Sequence, residues 1–494
     1  MCNNKIARYC SNLMKNIIIF RLYSLLIVLI TTFQIFVMIC SCTSERNYAY
    51  YYDKGNEYLN AANFEEADLD AALFNFSKAI ELNPLLIDAY YDRAFVYSFI
   101  DENDKGIADL DRYLEYRDDD AKAYNLRGSL YLNKKEYALA VDDFNRSSKI
   151  NPDDRSVYFH LGKAFVETDM NDKAIEYLNK AIEFGDETLI VYYHRGLAYY
   201  KLKDYENALK DLDYCMDVDS SRSYVLLTRS NVYGDMGKFD LALKDVNKMI
   251  ELYPDYSSGY HTRGIVFMEM RQLENALNDL NKSIVLEPEN SLAYRDRGIV
   301  FGIKKNYYSA IKDLNKAIKL GSSGPRAFRS RGFAYQKMGR FNEAINDFRK
   351  ALEFDPTDYQ VYLYLASTYN DAKNYNDALT VLKKGIVLKP DDMRMLNLLA
   401  WIYVTCPDPH YRNPGEGLEY SLKSVEINRN FMNLDTLAAA YAENGLFEKA
   451  VEIEKKAIAL TGDNVDTKVR QELMELLEAY KNGKTYLEHK AEKK

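Results

Sequence analysis

The chain has 494 residues, a length for which we expect about three domains. Hydrophobic residues make up 47% and charged residues 28% of it, a composition that excludes a disordered protein. The formal net charge of −9 argues against binding to nucleic acid through the phosphate backbone, so we expect no nucleic-acid partner. Tyrosine is unusually common, with 43 copies against one tryptophan.

The first 41 residues differ from the rest, because they contain basic but no acidic residues. Leu22–Cys40 is a nearly uncharged apolar run of 19 residues, which fits either a secretion signal or a membrane span. The sequence Ile39-Cys40-Ser41-Cys42 at its end resembles the lipobox of bacterial lipoproteins. That resemblance implies that Cys42 is lipidated and becomes the mature N-terminus. The basic residues are Lys5, Arg8, Lys15 and Arg21.

We therefore expect residues 1–41 to be a signal peptide of the lipoprotein type and residues 42–47 to be a short linker. The body would then be held at the cell envelope, on the outer membrane or on the periplasmic side of the inner membrane. The alternative is an uncleaved, single-span membrane anchor over 1–41. Of the six cysteines only Cys215 and Cys406 remain in the body, far apart in sequence, so we expect no disulfide framework.

A 34-residue period organises the chain after this linker. A small residue, which we number position 8, recurs at this spacing through ten successive copies. Two looser copies, around Gly55 and Ala438, bring the total to twelve. The residues at position 8 are Ala94, Gly128, Gly162, Gly196, Ser230, Gly264, Gly298, Gly332, Ala366 and Ala400.

Other positions of the period are also regular. Position 4 is aromatic in most copies, position 11 is aromatic in all the regular ones, position 20 is small, and position 32 is proline in six. Small residues at positions 8 and 20 let two helices approach closely, while the aromatic residues fill the gaps between units. Proline ends the second helix. One unit cannot bury its own apolar face, so we expect the units to stack into a solenoid.

The period and this internal pattern resemble the tetratricopeptide repeat, a helix–turn–helix unit. The resemblance implies an all-α fold, an α-solenoid of about twelve repeats over residues 48–464 that forms a right-handed superhelix. Apolar residues at helical spacing predict a C-terminal capping helix over 465–480. We expect residues 481–494 to be a frayed, polar tail.

Charged residues at two positions vary together. Position 7 is arginine in seven copies, and position 23 is aspartate in the same seven. Where position 7 is leucine, at Leu161 and Leu365, position 23 holds no acid. We predict a charge-assisted hydrogen bond from the first helix of each unit to its second helix, which fixes their register. The pairs are Arg93–Asp109, Arg127–Asp143, Arg195–Asp211, Arg229–Asp245, Arg263–Asp279, Arg297–Asp313 and Arg331–Asp347.

The stretch Cys406–Gly417 resembles a site at first sight, because it combines a cysteine, two acidic residues, a histidine and three prolines. The period explains it instead as a five-residue lengthening of the turn between two helices. Two of the prolines end the first helix, and we expect Asn413, Pro414 and Glu416 to start and cap the second. The wider sequence resembles a C-terminal variant of these repeats, which implies a structural module.

No nucleotide-binding loop, nucleophile elbow, zinc cluster or HExxH motif is present in the sequence. His160 and His194 occupy the same position in adjacent units but lack a third ligand, so we expect packing histidines. The repeats and the cap fill nearly all of residues 48–480 and leave no room for a catalytic domain. We therefore expect no enzymatic activity, no catalytic residue, no metal and no small-molecule cofactor.

Recognition of a protein or peptide is then the expected function. The resemblance implies binding on the concave face of the first helices, where positions 2, 5, 9 and 12 lie. Four basic residues in two adjacent units are candidates for binding a carboxylate or an acidic peptide, with pairing to neighbouring acids as the alternative. They are Arg295, Arg326, Arg329 and Lys337.

We expect a lipid-anchored scaffold for protein–protein interaction. A structural envelope protein that faces a cell-wall polymer is the alternative.

Overall fold

The structure, a computed structural model, is helical throughout the described residues and contains no strand among them, which confirms the predicted all-α class. The order of the helices is consistent with about twelve helix–turn–helix repeats. The chain divides into two compact units, Met1–Val232 and Tyr233–Lys494. The residues that the structure describes are 24–35, 47–60, 66–322, 324–462 and 465–492.

Residues 24–35 of the first unit form a helix that is exposed along its whole length. Across the residues that the structure describes, no helix combines the length and the apolar character needed to cross a membrane. Most of the predicted signal segment, and Cys42 with it, lies outside the described residues. The lipid anchor therefore stays a prediction.

The repeats of the first unit alternate between odd-numbered first helices and even-numbered second helices. Neighbouring first helices also contact each other, as α3 contacts α5 and α7 contacts α9. The helices are α1 (47–59), α2 (Glu66–Leu82), α3 (Ile87–Phe99), α4 (Asn103–Leu114), α5 (Ala121–Asn133), α6 (Tyr137–Ile150), α7 (Arg155–Glu167), α8 (Asn171–Glu183), α9 (Leu189–Lys201) and α10 (Tyr205–Val218).

Helix α11 (Ser223–Asp235) contains the boundary between the units, and the same alternation continues in the second unit. Its repeat helices are α12 (Phe239–Leu252), α13 (Ser257–Glu269), α14 (Leu273–Leu286), α15 (Ser291–Ile303), α16 (Tyr307–Lys319), α17 (Pro325–Lys337), α18 (Phe341–Phe354), α19 (Tyr359–Asp371), α20 (Tyr375–Leu388), α21 (Met393–Thr405), α22 (Pro414–Ile427), α23 (Phe431–Glu443) and α24 (Phe447–Ala459).

Two further helices follow the last repeat. Helix α25 (Thr467–Lys481) packs on α24 at the place where the sequence predicts a cap, and buries Leu473, Leu476 and Tyr480. The tail is not simply frayed, because Tyr486–Glu492 forms helix α26.

Close approach of the two helices in a repeat depends on the small residue at position 8. A Cβ atom added at Gly128 would lie 2.7 Å from the ring of Phe144, which is fully buried on the second helix. Ala140, at position 20 of the same repeat, is also fully buried. The side chain at position 24 therefore fills the space that the missing Cβ leaves, and the two helices pack without a cavity.

Hydrogen bonds at position 34 start many of the first helices. Asp120 accepts the backbone N–H of Lys122 at 2.8 Å, and Asp392 accepts that of Arg394 at 3.0 Å. Such N-caps satisfy donors that the first turn leaves without a partner. The backbone carbonyl of the proline at position 32 can also accept a hydrogen bond. In one repeat the Tyr158 hydroxyl donates to the Pro152 carbonyl at 2.7 Å.

Arginine at position 7 makes a two-pronged bond to aspartate at position 23 in every pair that lies within one unit. Its Nε and Nη2 atoms donate to the two carboxylate oxygens at distances between 2.6 and 2.9 Å. The arginine side chains are 15–23% exposed and the aspartate side chains 2–10%. Arg229 and Asp245 lie on either side of the unit boundary, and their pairing stays a prediction.

The same arginines make a third bond, which the sequence reasoning missed. Nη1 donates to position 25 of the preceding repeat, on its second helix, at distances between 2.6 and 3.2 Å. In the six repeats whose pair lies within one unit, the arginine therefore joins the second helices of two successive repeats, and we call this arrangement the arginine tie. The acceptors, in chain order, are Ser77, Asp111, Asn179, Asp213, Asn247, Asn281 and Asn315.

Repeats without the arginine use apolar packing at position 7. Leu161 is fully buried and Leu365 is 3% exposed. In the second case Arg349, at position 25 of the preceding repeat, donates to the hydroxyl of Tyr369 at 2.6 Å. A polar link between successive repeats is thus kept there, with donor and acceptor exchanged.

Replacing one member of a tie should destabilise the second unit more than replacing both. Asp313→Leu leaves the Arg297 guanidinium with only Asn281, and Arg297→Leu leaves a buried carboxylate without its partner. We expect each to lower the free energy of unfolding by about 3 kcal/mol, and the double variant to recover much of this loss. Urea unfolding followed by the fluorescence of Trp401, the only tryptophan, measures the effect within the same unit.

Arg340→Leu is the matched control, because its bond to Glu343 is exposed and within one helix turn. It should change the free energy of unfolding by less than about 0.5 kcal/mol. Strictly additive effects of Arg297→Leu and Asp313→Leu would contradict the tie.

Candidate functional site

A groove with a volume of about 800 Å³ opens along the first helices α15, α17 and α19. Its apolar part comes from positions 9 and 13 of the repeats, and its basic part from helix ends and turns. We call it the basic groove. It is lined by Arg271, Gly298, Ile299, Gly302, Ile303, Lys305, Tyr307, Arg329, Ser330, Phe333, Lys337 and Tyr364.

Three of its four cations have no ion-pair partner among the described residues. Arg271 and Lys305 lie exposed in the turns that follow two first helices. Lys337 is exposed in the last turn of α17, and its ammonium lies 5.3 Å from the centre of the Phe333 ring. Arg329 differs, because its Nη1 atom donates to Asp358 at 2.7 Å. The groove therefore presents unneutralised positive charge beside aromatic rings.

The four cations predicted from the sequence to bind a partner lie in two different places. Arg329 and Lys337 line the basic groove, as described above. Arg295 donates instead to the adjacent, fully buried Asp296 at 2.9 and 3.0 Å, and Arg326 approaches the same carboxylate at 4.0 Å. Nε2 of His261 lies 2.8 Å from Asp296. The structure thus does not bring the four predicted cations together as one site.

Asp296 is charged despite its burial. Burial raises the pKa of this carboxyl, but hydrogen bonds from His261 and Arg295 outweigh that effect and hold the pKa below its ordinary value. The pairing explains why Arg295 offers little to a ligand. Its guanidinium already stabilises an internal charge.

Arg271 and Lys305 are the groove cations that sequence reasoning missed. Both occupy position 15, and both have a backbone φ of 62°, in the left-handed region that favours glycine. Gly237 and Gly339 hold the same position in other repeats, with φ of 71° and 72°. The sequence offered no specific signal for these two cations, because Lys135, Lys203 and Lys373 also occupy position 15 with a positive φ and do not line the groove.

The two aligned histidines do not form a metal site. Nδ1 of His160 lies 2.8 Å from the side-chain oxygen of Asn125, and His194 packs edge-on against Phe159. Burial and the nearby Lys163 lower the pKa of each histidine to about 4, so both are neutral at pH 7. Among the described residues, no group of three or more potential ligands could hold a metal ion.

The stretch Cys406–Gly417 forms a capped turn. Asn413 accepts the backbone N–H of Glu416 at 3.3 Å and donates to its carboxylate at 2.9 Å, with Pro414 as the first residue of α22. His410 and Asp408 are exposed, and Cys406 is buried. Burial raises the pKa of the Cys406 thiol, which disfavours the reactive thiolate. This geometry explains the prolines and polar residues without any ligand.

Family models match several stretches of the chain. Models described as tetratricopeptide repeat match residues 121–154, 156–184, 189–222 and 335–402. The chain contains tetratricopeptide repeats. A comparison with curated proteins found no match to this sequence.

Among solved structures, yeast Tom70 is 18% identical and has a TM-score of 0.37, with 89% of this chain and 96% of Tom70 covered. TTC0263 of Thermus thermophilus is 23% identical, with a TM-score of 0.34 and coverage of 37% and 100%. PilF of Pseudomonas aeruginosa is 18% identical, with a TM-score of 0.39 and coverage of 44% and 98%. Similarities at these sequence identities and TM-scores give no information about the partners of this chain.

The last tetratricopeptide repeat breaks the packing rule at position 24. Leucine, phenylalanine or valine fills this position in the nine repeats whose position 8 runs from Ala94 to Ala366, whereas Glu454 fills it here. Glu454 is fully buried, and neither carboxylate oxygen has a hydrogen-bond partner among the described residues. Such a group is held uncharged, because burial without partners strongly disfavours the ionised form.

Two further polar groups surround this carboxyl. Burial, with the negative charge of Asp435 adding to it, raises the pKa of Glu454 to about 9. Burial raises the pKa of Asp435 to about 7, where Lys490 acts in the opposite direction and Glu472 in the same one. The hydroxyl of Tyr480 from α25 is also buried without a partner. Because Glu454 is inaccessible to solvent, this cluster can bind and release protons but cannot contact a substrate.

The cluster predicts a pH-dependent stability. Both carboxyls bind protons more tightly in the folded than in the unfolded state, so their stabilisation is full below about pH 4 and is lost as the pH rises through 7 and 9. We expect Glu454→Leu to flatten the fall between pH 5 and 9. At pH 8 it should raise the free energy of unfolding by roughly 2 kcal/mol or more.

Urea unfolding at a series of pH values measures this dependence. The control is Glu452→Leu, on the same helix but exposed and paired with Lys456, which should leave the slope unchanged. Equal slopes for the wild-type protein and Glu454→Leu would refute the assignment.

Proposed function

We propose that this chain is a non-enzymatic scaffold that binds an acidic peptide segment of a protein partner in the basic groove. The observation that carries the proposal is the set of unpaired cations Arg271, Lys305 and Lys337, beside aromatic rings, in a chain with a net charge of −9. Unpaired cations next to an apolar surface supply both charge attraction and burial to a peptide.

The groove offers two kinds of contact. Its three unpaired cations lie at a helix end and in turns, where a flexible ligand carboxylate can reach them. Ile299 and Phe333, both at position 9, supply the apolar floor, and Tyr364 extends it. Gly302 leaves open space, because a Cβ atom placed there would have no neighbour within 4 Å. A peptide with acidic residues on either side of an apolar residue fits this arrangement.

Charge should govern the strength of binding. Exposed ion pairs contribute about 0.2–1 kcal/mol each, so the three unpaired cations together favour an acidic over a neutral peptide by about threefold to 150-fold. Salt should weaken the complex, because exposed charges are screened over about 8 Å at physiological ionic strength.

Removing two groove cations tests this function. In the double variant Lys305→Gly with Lys337→Gln, the glycine suits the φ of 62° at that turn, so the backbone stays unstrained. Binding to an array of short peptides that differ in Asp and Glu content is measured with the full chain. We expect the wild-type protein to prefer acidic peptides and the variant, which lacks two ion pairs, to bind them about twofold to thirtyfold more weakly.

Lys312→Gln, on the second helix α16 and exposed, is the matched control that should keep wild-type binding. Two results would sink the proposal: no preference for acidic over basic peptides, or equal binding by the wild-type protein and the double variant.

We also propose that the scaffold is held at the cell envelope by a lipid on Cys42. The sequence Ile39-Cys40-Ser41-Cys42 supports this, together with the apolar run before it. A membrane attachment would place the basic groove near partners at the envelope and raise their effective concentration.

Lipid attachment has a direct test. In cells fed a labelled fatty acid, the wild-type chain should carry the label and sediment with membranes, and Cys42→Ser should lose the label. Cys40→Ser is the matched control and should keep it. Label that persists in Cys42→Ser would exclude this cysteine. Retention on isolated cell-wall polymer, with no protein partner, would instead favour a structural role.

A further inference from the structure

Helix α26 lies against the first helices of the last two repeats. The ring of Tyr486 meets that of Trp401 edge to face, with 5.0 Å between their centres. The same side chain packs against Val404 of α21 and against Ala439 and Ala440 of α23. The backbone N–H of Leu487 donates to the Glu443 carboxylate at 3.4 Å. The chain's own C-terminal helix therefore covers a first-helix surface.

This surface has the same register as the basic groove. Trp401 and Ala439 occupy position 9 of their repeats, as Ile299 and Phe333 do in the groove. In the earlier repeats those positions face an open cavity, whereas here Tyr486 contacts them. Helix α26 thus stands where a ligand would stand in the repeats upstream.

Charge complements this contact. Asp435, at position 5 of α23, has one carboxylate oxygen that is buried and without a partner among the described residues. Lys490 follows Tyr486 by four residues, so both side chains lie on one face of α26. The Lys490 ammonium opposes the rise in the pKa of Asp435, which means that it favours the charged carboxylate. An aromatic ring and a cation one turn apart match Trp401 and Asp435.

The contact is held weakly. Helix α26 has seven residues and none of them is buried. So short a helix is unstable on its own and depends on its docking surface. A cavity of about 650 Å³, lined by Trp401, Cys406, Tyr486 and Lys490 among others, remains beside it. The surface can accept a larger occupant than α26.

We propose that α26 is an internal ligand of this surface, displaced by a partner helix that carries an aromatic residue and a lysine or arginine four residues later. The proposal rests on the proposed function, since it makes the last two repeats a second partner site with a built-in competitor. When α26 occupies the surface in most molecules, the apparent affinity for the partner falls in proportion to the small fraction of molecules in which α26 is undocked.

Trp401 reports this contact, because it is the only tryptophan in the chain. In the full-length protein, Tyr486→Ala should change the emission of Trp401 and speed amide exchange across α26. Tyr308→Ala, at a tyrosine that is 76% exposed on α16, is the control and should change neither. An unchanged emission spectrum and unchanged exchange in Tyr486→Ala would overturn the assignment.

A synthetic peptide with the sequence of Lys484–Glu492 tests the competition. Full-length Tyr486→Ala should bind it at least tenfold more tightly than the wild-type protein, as seen in Trp401 emission, and should not bind the peptide that carries Tyr486→Ala. Equal affinity of the two proteins, or binding by neither, overturns the proposal. So does a concentration-dependent dimer that exchanges α26 between copies.

These results separate the two proposals. The acidic-peptide array probes the basic groove, whose lining residues include none from α26. Failure of that array leaves the Trp401 measurements intact, and failure of the Lys484–Glu492 peptide leaves the groove intact.

Discussion

The arginine tie is the interaction on which the rest of the structure depends. One guanidinium at position 7 bonds the second helix of its own repeat and that of the repeat before it, as Arg297 does with Asp313 and Asn281. All five N–H donors of an arginine lie in one plane, so the direction of one bond fixes the others. The tie sets the angle within a repeat and the spacing to its neighbour together. In the tied repeats the first helices are thereby held side by side, and two of these helices, α15 and α17, line the basic groove.

Much of this architecture could be predicted from the sequence because it repeats. A small residue every 34 positions, and charges that vary together at positions 7 and 23, each compare one repeat with another. The third bond of the tie was missed although asparagine or aspartate recurs at position 25 in most of the tied repeats, because position 25 belongs to the preceding repeat.

The candidate site was predicted less well, for a physical reason. Arg295 and Arg326 are close in register to the groove, but the buried carboxylate of Asp296 attracts both. Arg271 and Lys305 reach the groove from turns, where backbone conformation rather than helical periodicity directs the side chain. Helix α26 could not be foreseen, since a segment of seven residues is too short to form a stable helix alone. Its contacts with α21 and α23, among them that of Tyr486 with Trp401, supply the missing stabilisation.

Within the second unit, the same register positions take different environments along the chain. Position 9 faces an open cavity at Phe333 and an internal helix at Trp401. Position 24 is apolar in the nine repeats whose position 8 runs from Ala94 to Ala366 and acidic at Glu454, where the chain loses an apolar contact and gains a carboxyl whose pKa is raised to about 9 by burial. The repeats share one backbone arrangement, and single residues that depart from the repeat pattern give individual repeats their distinct chemical properties.

Amide hydrogen exchange in the variant Asn281→Ala tests the central claim most directly, because it removes only the bond of the tie that joins two repeats. Asn275→Ala, exposed on the same helix, is its control. If the tie couples neighbouring repeats, exchange should accelerate in α15 and α16 as well as in α14. Acceleration confined to α14 would show that the repeats are held together by apolar packing alone, and would contradict the account.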